Sequence, residues 1–306
     1  MYQNGPMFPA AFTRNIIGNW GDAGREWLAG LPALIDAVTH DWGLTAGDPY
    51  PLSFSWVAPV RRADGSPAVL KLGVPSTDDL VHQAAALSFF DGAGAVRLLR
   101  HDEARGAMLL EKVEPGHTLR RLVLEHDQEA TDVLIAMMRR LHRPAPPDLA
   151  VAELTSYGNG FAEHLRRYPG EHPIPRQLVV RAAGLFIELC QSATERVVLH
   201  GDLHHENVLA GDREQWLAID PHGLAGDPGY EVGPILYNPF DGDEPVLGLV
   251  PIRIEQFAEG LGMPIDRVVA WGFVQAVLSE VWDAESGESK PGQALDVALS
   301  LERRLS

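Results

Sequence analysis

The stretch VLHGDLHHENVL, residues 198–209, places acidic, histidine and amide side chains between two apolar runs. Asp202 follows His200 by two residues and precedes Asn207 by five, and Asp220 ends the next apolar run, eighteen residues after Asp202. Phosphoryl transfer from a nucleotide requires an oriented acceptor hydroxyl, oxygen ligands for metal ions and positive charge near the phosphates. These residue types are those that such a reaction requires.

Each side chain of this series can be given a task. Asp202 is predicted to accept the proton of the acceptor hydroxyl, or to hold that hydroxyl in line for attack. The amide oxygen of Asn207 and the carboxylate of Asp220 are hard ligands, suited to a Mg²⁺ ion that carries nucleotide phosphates. His200 is expected to brace the loop through hydrogen bonds.

The histidines of the same loop leave a second interpretation open, a zinc site built from His200, His204 and His205. Zinc needs three or four convergent ligands, and two adjacent histidines do not easily point at one centre, so the pattern favours ordinary loop polarity. Asp227, in AGDPGYE, is either a turn former before a proline or a further ligand.

The composition is that of a soluble globular protein, and its acidity by itself favours solubility. The 306 residues suit two modest domains or one two-lobed enzyme, with 45% hydrophobic and 22% charged residues. The net charge of −17 repels nucleic-acid phosphates and anionic lipid, so neither nucleic acid nor a membrane is an expected partner. The start lacks a signal-peptide pattern and Cys190 is the lone cysteine, which favours a cytoplasmic protein.

The elements that must position these residues begin with a helix over 20–42, predicted from apolar residues at steps of three and four. Two strands, SFSWVAPVRR and PAVLKLG, then flank ADGS, a hairpin signal. A helix over 77–90 follows, with Thr77 as its N-cap, and two more strands lie in AVRLLRHDEARGAMLLEKV. The pattern up to this point therefore predicts a small antiparallel sheet accompanied by helices.

Pro115 and Gly116 interrupt the sheet pattern, and we place a lobe boundary there, with one lobe at residues 1–113 and the other at 114–306. From 117 to about 196, and again after 250, the pattern is mainly helical, with a short strand in WLAID between. The fold class predicted from this order is α+β.

The chain resembles the aminoglycoside phosphotransferase family, and within it the aminoglycoside and hydroxyurea resistance kinase branch. The resemblance depends on HGDLHHENVL and IDPHGLAGDPGYE, with VAPVRRADGSPAVLKLG, DGAGAVRLL and MLLEKVEPGHTL upstream, and it covers nearly the whole chain. It implies a protein-kinase-like two-lobed fold, with ATP and Mg²⁺ in the cleft between a small sheet lobe and a helical lobe. It also implies transfer of the ATP γ-phosphoryl group to a hydroxyl of a small, streptomycin-like acceptor.

The resemblance assigns residues to the nucleotide phosphates. Lys71, in AVLKLG, matches the family lysine that contacts them. The helix residue that pairs with this lysine is usually a glutamate, and Gln83 stands in that register, with His82 or Asp79 as the alternatives in a shifted register. The loop that covers the phosphates is usually rich in glycine, whereas PLSFSWVAP offers Ser53 and Ser55, whose hydroxyls and backbone amides would serve instead.

The resemblance also places the adenine-binding segment. Glu111, Lys112 and Val113 fall where family members hydrogen-bond the adenine edge through main-chain groups. The identity of the side chains matters little there, so Glu111 and Val113 are assigned to nucleotide binding through their backbone.

The acceptor pocket is less defined. The acidic balance fits a cationic acceptor such as a guanidino or amino sugar. The helical stripe Trp271, Gln275, Leu278 and Trp282 is typical of core, although a pocket wall is an alternative in which Glu280 and Asp283 meet a cation. The run DGDEP, residues 241–245, is a solvated turn or a rim of that pocket.

Two other functions share these motifs. A metabolic sugar or amino-sugar kinase of the same fold would differ only in its acceptor pocket. A non-catalytic nucleotide-binding protein on the same scaffold is suggested by Gln83 and by the glycine-poor loop.

Overall fold

The first helix, α1 (Ala10–Trp42), begins ten residues before the predicted start and packs along one face of a sheet. It bends at Gly21, whose φ of 54° and ψ of −123° are not helical, and it ends at Gly43 in the left-handed conformation that glycine adopts readily. This computed structural model describes residues 8–75, 78–170, 173–239, 246–286 and 292–305.

Five antiparallel strands form the sheet beneath α1, in the order β1-β2-β3-β5-β4. Their bounds are β1 Leu44–Ala46, β2 Trp56–Arg62, β3 Pro67–Leu72, β4 Leu98–Asp102 and β5 Ala107–Glu111. The hairpin predicted around Asp64 and Gly65 is confirmed as the β2–β3 pair, in which Val57 lies opposite Lys71. Helix α2 (Asp78–Phe90) follows β3, and the predicted N-cap Thr77 lies outside the described residues.

Most of the chain after residue 122 is helical. The helices are α3 Val123–Leu141, α4 Gly158–Arg167, α5 Arg176–Gln191, α6 Val232–Tyr237, α7 Val246–Leu261, α8 Ile265–Ser286 and α9 Gln293–Glu302. Helix α8 is apolar on nearly all sides and packs against α4, α5, α6, α7 and α9, which makes it the centre of this core. None of the helices in the described ranges is both long and apolar enough to span a membrane.

Two three-stranded sheets interrupt the helices. One has the order β10-β9-β6, from β6 Pro115–Thr118, β9 Val208–Gly211 and β10 Trp216–Ala218; the other has the order β7-β11-β8, from β7 Ala152–Glu153, β8 Val197–Leu199 and β11 Leu224–Gly226. The residues at 115 and 116, expected only to break the first sheet, therefore begin a strand that pairs with β9. These small sheets hold the two polar loops, residues 200–207 and 219–223.

Candidate active site

Backbone hydrogen bonds tie the two polar loops together. The N–H of His222 donates to the carbonyl of His200 at 2.7 Å, and the N–H of Ile219 donates to the carbonyl of Asn207 at 2.9 Å. Because each loop starts and ends at a paired strand, its polar side chains are held at one end of the small sheets. The structure thus brings Asp202, Asn207 and Asp220 to neighbouring positions on bonded loops.

Asp202 is surrounded by donors. The amide of Asn207 donates to its carbonyl at 2.9 Å and to its Oδ2 at 3.0 Å, while the Nε2 atoms of His204 and His222 lie 3.4 and 4.0 Å from Oδ2. Burial opposes ionisation of this carboxyl, but the charge and hydrogen bond of His204 and the charge of His222 outweigh it and lower its pKa. A carboxylate that is 35% exposed and ionised can accept a hydrogen bond from an incoming hydroxyl.

Asp220 lies in a left-handed conformation, with φ of 60°, which is uncommon for a residue other than glycine. Its Oδ1 pairs with the ammonium of Lys71 and accepts a hydrogen bond from Gln83 Nε2 at 2.7 Å. Burial opposes its ionisation, yet the Lys71 charge and the Gln83 hydrogen bond outweigh that effect and lower its pKa far below the ordinary value. The carboxylate is thus held ionised, with about half of its surface open to solvent.

Gln83 hydrogen-bonds to the loop of Asp220 and not, as expected, to Lys71. Its Nε2 bonds to the Asp220 carboxylate and, at 2.9 Å, to the carbonyl of Pro221, so it clamps the loop, while the ammonium of Lys71 pairs with Asp220. Lys71 and Gln83 are 8% and 6% exposed. A neutral amide suits this position, because a glutamate would place a second carboxylate beside Asp220.

Gly223 allows helix α2 to approach the Asp220 loop. Its φ is 74°, and a Cβ atom there would lie 2.2 Å from the carbonyl oxygen of His82 on α2. Only glycine fits a position that is both left-handed and this crowded. The close approach brings Gln83, on the same helix, to the carboxylate that it holds.

Glu231 was not singled out from the sequence, yet it anchors the loop that carries Asp202. Fully buried, its carboxylate accepts hydrogen bonds from the backbone N–H groups of His200, at 3.2 Å, and Gly201, at 2.6 Å. Burial opposes its ionisation, but the neighbouring His142 and these contacts outweigh it and lower its pKa. The one sequence signal was an acidic residue inside the apolar segment GYEVGPILY, which is a poor place for an unpaired charge.

The structure answers the two questions about ligands that the loop histidines and Asp227 left open. His200 bonds to the carbonyl of Ile219 at 2.8 Å, His204 faces Asp202, and His205 is buried, so their rings do not converge. In the described ranges, no group of three or more His, Cys, Asp or Glu side chains could hold a metal ion. Asp227 is a turn former, since it accepts from Gly229 N–H at 2.7 Å and pairs with Arg267.

Oxygen donors suited to a hard divalent cation are present in the two bonded loops. The amide nitrogen of Asn207 is committed to Asp202, which leaves the amide oxygen as the free end of the side chain. The carboxylate of Asp220 has lone pairs beyond those used by Lys71 and Gln83. An amide oxygen and a carboxylate, completed by water and phosphate oxygens, fit the preferences of Mg²⁺.

The segment predicted to bind adenine has one residue with a structural role of its own. The carboxylate of Glu111 is held by Arg213, at 2.7 and 2.9 Å, and its backbone N–H donates to the carbonyl of Arg97 at 2.9 Å. This ion pair outweighs the burial that opposes ionisation and lowers the pKa of Glu111. Within the described part of the chain, the N–H of Val113 has no hydrogen-bond partner and could meet a base edge.

Ser53 and Ser55 lie in the segment that leads into β2. Trp56, which follows, pairs with Leu72 on β3, so this segment reaches the strand end that carries Lys71. The carbonyl of Ser53 accepts a hydrogen bond from the side chain of Asn15 on α1 at 3.2 Å. Helix α1 thereby fixes part of this segment.

The stripe on α8 divides between core and surface. Trp271, Gln275 and Leu278 are fully buried or nearly so, as a core stripe should be, whereas Trp282 is half-buried. Glu280 does not face a pocket, because its carboxylate accepts hydrogen bonds from Gly292 and Leu295 N–H at the start of α9. The run at 241–245, a candidate rim, lies outside the described residues.

The structure combines a small antiparallel sheet that carries the buried Lys71 with a helical part and with two hydrogen-bonded loops that present Asp202 and Asp220. Together these features define a phosphotransferase with a two-lobed, kinase-like α+β fold. The sequence profile of the aminoglycoside/hydroxyurea antibiotic resistance kinases matches residues 44–287, and the chain belongs to this family. The family resemblance and the fold class inferred from the sequence are thereby confirmed.

Two relatives named as kinase or phosphotransferase are similar over most of their length. A streptomycin 6-kinase of Streptomyces griseus is 36% identical over 298 residues, which cover 91% of each chain. A hydroxyurea phosphotransferase of Kitasatospora aureofaciens is 36% identical, with 92% of this chain and 81% of that protein covered.

Solved structures are similar in fold. A choline kinase from Streptococcus pneumoniae has a TM-score of 0.64 at 13% identity, covering 90% of this chain and 98% of that one. An aminoglycoside phosphotransferase in ternary complex with ADP and hygromycin B has a TM-score of 0.56 at 16% identity, covering 88% and 95%.

Proposed function

We propose that the chain transfers the γ-phosphoryl group of ATP to a hydroxyl of a streptomycin-type aminoglycoside. The 36% identity to a streptomycin 6-kinase over 91% of both chains supports the acceptor class. The observation that carries the reaction is the ionised, partly exposed Asp202, on a loop bonded to the one that holds the Lys71–Asp220 pair.

Each side chain has one task in this reaction. Asp202 accepts the proton of the attacking hydroxyl or holds that hydroxyl in line, with its carboxylate oriented by the Asn207 amide. The amide oxygen of Asn207 and the carboxylate of Asp220 would hold a Mg²⁺ ion, which would supply positive charge at the nucleotide phosphates. Lys71, whose ammonium now pairs with Asp220, contacts the phosphates when the nucleotide is bound.

The nucleotide binds between the lobes, whose boundary we place between residues 113 and 114. The N–H of Val113, which has no partner among the described residues, contacts the adenine edge, and Glu111 serves this segment by holding Arg213. Ser53 and Ser55 cover the phosphates through hydroxyl and amide groups. Gln83 acts through Asp220, by keeping its carboxylate in place for the metal ion.

The net charge supports a cationic acceptor and no nucleic-acid or membrane partner, since an acidic protein attracts cations and repels polyanions. A chain with one cysteine fits the reducing environment of the cytoplasm. We infer that the enzyme acts there.

A coupled assay of nucleotide consumption, with streptomycin, neutral sugars, amino sugars and hydroxyurea as acceptors, tests the proposal. Streptomycin should give the highest kcat/KM and a singly phosphorylated product by mass spectrometry. A neutral sugar as best acceptor would favour a metabolic kinase, and nucleotide binding without any turnover would favour a non-catalytic protein. The hydroxyurea phosphotransferase, 36% identical to this chain, supports hydroxyurea as the second candidate acceptor.

A further inference from the structure

A short contact chain leads from Asp202 to a pair of aromatic rings. His222 lies 4.0 Å from the Asp202 carboxylate through Nε2, and its Nδ1 lies 3.4 Å from the hydroxyl of Tyr157. Tyr157 ends the 3-10 helix Leu154–Tyr157, directly before α4. The carboxylate that faces the acceptor hydroxyl is therefore one imidazole ring away from Tyr157.

The second ring is that of Trp282 on α8. The ring centroids of Tyr157 and Trp282 are 5.4 Å apart and their planes are perpendicular, at 90°. Both side chains are half-buried, in contrast to Tyr230, which contacts Tyr157, and to Trp271, which contacts Tyr230; both of these are fully buried. Because they are partly exposed, the two rings keep apolar surface that a bound molecule can contact, which the buried rings lack.

The charges around these rings are negative. The pKa of Tyr157 is raised by burial and then by the carboxylates of Asp79, Asp202 and Glu231. Burial and charges that include Asp202 and Asp283, the residue after Trp282, likewise raise the pKa of Tyr237. A cation beside the rings would be stabilised by these carboxylates, whereas a neutral group would gain only contact with the ring surface.

From this geometry we infer that Tyr157 and Trp282 form the subsite that binds a planar cationic group of the acceptor, a guanidinium above all. A guanidinium can stack flat on an aromatic ring and still donate hydrogen bonds in its plane, which an ammonium cannot do as well. The subsite holds the cation while His222 separates it from Asp202, so that a hydroxyl on the same molecule reaches the carboxylate. This inference rests on the proposed function and identifies the group of the acceptor that is recognised.

Streptomycin, which carries guanidinium groups, is the probe, and its binding to the full-length protein with MgADP is measured by calorimetry. Trp282→Leu and Tyr157→Leu should each weaken streptomycin binding about tenfold, which corresponds to about 1.4 kcal/mol, and leave the affinity for MgADP unchanged. Trp282→Phe should restore most of the affinity, because it restores an aromatic ring.

Tyr168→Leu is the matched control. Tyr168 is also half-buried and donates a hydrogen bond to the carbonyl of Ala284 on α8 at 3.1 Å, but its ring contacts that of His164, at a centroid distance of 4.9 Å. The Tyr168→Leu substitution should therefore leave streptomycin binding unchanged. An equal loss in this control, or in MgADP affinity, would mean that the substitutions act through folding and would overturn the inference.

The inference and the proposed function fail in different ways. Wild-type-like streptomycin affinity in Trp282→Leu and Tyr157→Leu overturns the subsite and leaves the proposed reaction standing. Streptomycin binding that these substitutions weaken, without any phosphorylated product from the wild type, supports the subsite and refutes the proposed function. No binding of streptomycin to the wild type refutes both.

Discussion

Replacing Glu231 with glutamine should reduce catalysis without reducing nucleotide affinity. The carboxylate holds two backbone N–H groups of the loop that carries Asp202, those of His200 and Gly201, and is fully buried. Glutamine keeps one acceptor oxygen but presents an amide NH₂ to the other N–H. One buried donor then loses its partner and the remaining bond loses its charge.

The magnitude follows from the two bonds. A buried donor without a partner costs about 1–3 kcal/mol, and loss of charge on the other bond about 1 kcal/mol, so unfolding should become easier by about 2–4 kcal/mol. The loop can recover part of this energy by moving, and a shift of about 1 Å at Asp202 lowers turnover by about a hundredfold. We therefore expect kcat to fall about 10- to 100-fold, with the KM for ATP within about threefold of the wild type.

Glu280→Gln provides the matched control. Glu280 is also a buried carboxylate, 3% exposed, that accepts hydrogen bonds from two backbone N–H groups, but these belong to the start of α9. Both variants are compared by chemical denaturation and by steady-state kinetics with saturating ATP and acceptor. Similar losses of stability, with a large fall in kcat only for Glu231→Gln, are expected. An equal fall in kcat for both, or none for Glu231→Gln, would refute the assignment of Glu231 as a positioning residue.

Three further substitutions test other contacts. Lys71→Met should raise the KM for ATP about tenfold or more and leave acceptor binding unchanged, which calorimetry and kinetics measure separately; an unaltered KM would contradict its role. Gly223→Ala should lower the melting temperature, because its Cβ would meet His82 at 2.2 Å, while Gly248→Ala, with nothing within 4 Å, should not. Burial and then Arg167 lower the pKa of His164, so the unfolded chain binds the extra proton and acid destabilises the fold below about pH 6.5. His164→Phe should reduce the dependence of the free energy of unfolding on pH by up to about 1.4 kcal/mol per pH unit, as measured by denaturant titrations at pH 7.0 and 5.5. An unchanged pH dependence would contradict a neutral His164 in the folded protein.

The sequence predicts the elements that carry a local signal. The β2–β3 hairpin is marked by Asp64 and Gly65, and the apolar stripe of α1 is visible from Trp27 to Trp42. The first ten residues of α1 were missed because Gly21 breaks the helix and interrupts the periodicity. Strand β6 has a proline at its first position, so the sequence predicts an end of the sheet there. Its partner strand β9 lies nearly a hundred residues later, and the pairing leaves no local signal.

In the candidate site, too, the residues within a motif could be predicted from the sequence, whereas their distant partners could not. Motif spacing alone groups Asp202, Asn207 and Asp220, and the hydrogen bonds between their loops agree with that grouping. The partners of these residues could not be predicted, because each comes from a distant segment. Gln83 reaches Asp220 across 137 residues and Glu231 reaches Gly201 across 30, and neither contact leaves a periodic or motif signal.

Turnover by Asp202→Ala, measured beside its affinity for MgADP, tests the central claim most directly. If Asp202 acts on the acceptor hydroxyl, kcat should fall by about 10³-fold or more, while the dissociation constant for MgADP stays within about twofold of the wild type. Near-normal turnover, or a loss of nucleotide affinity that accounts for the whole defect, would contradict the role given to this carboxylate.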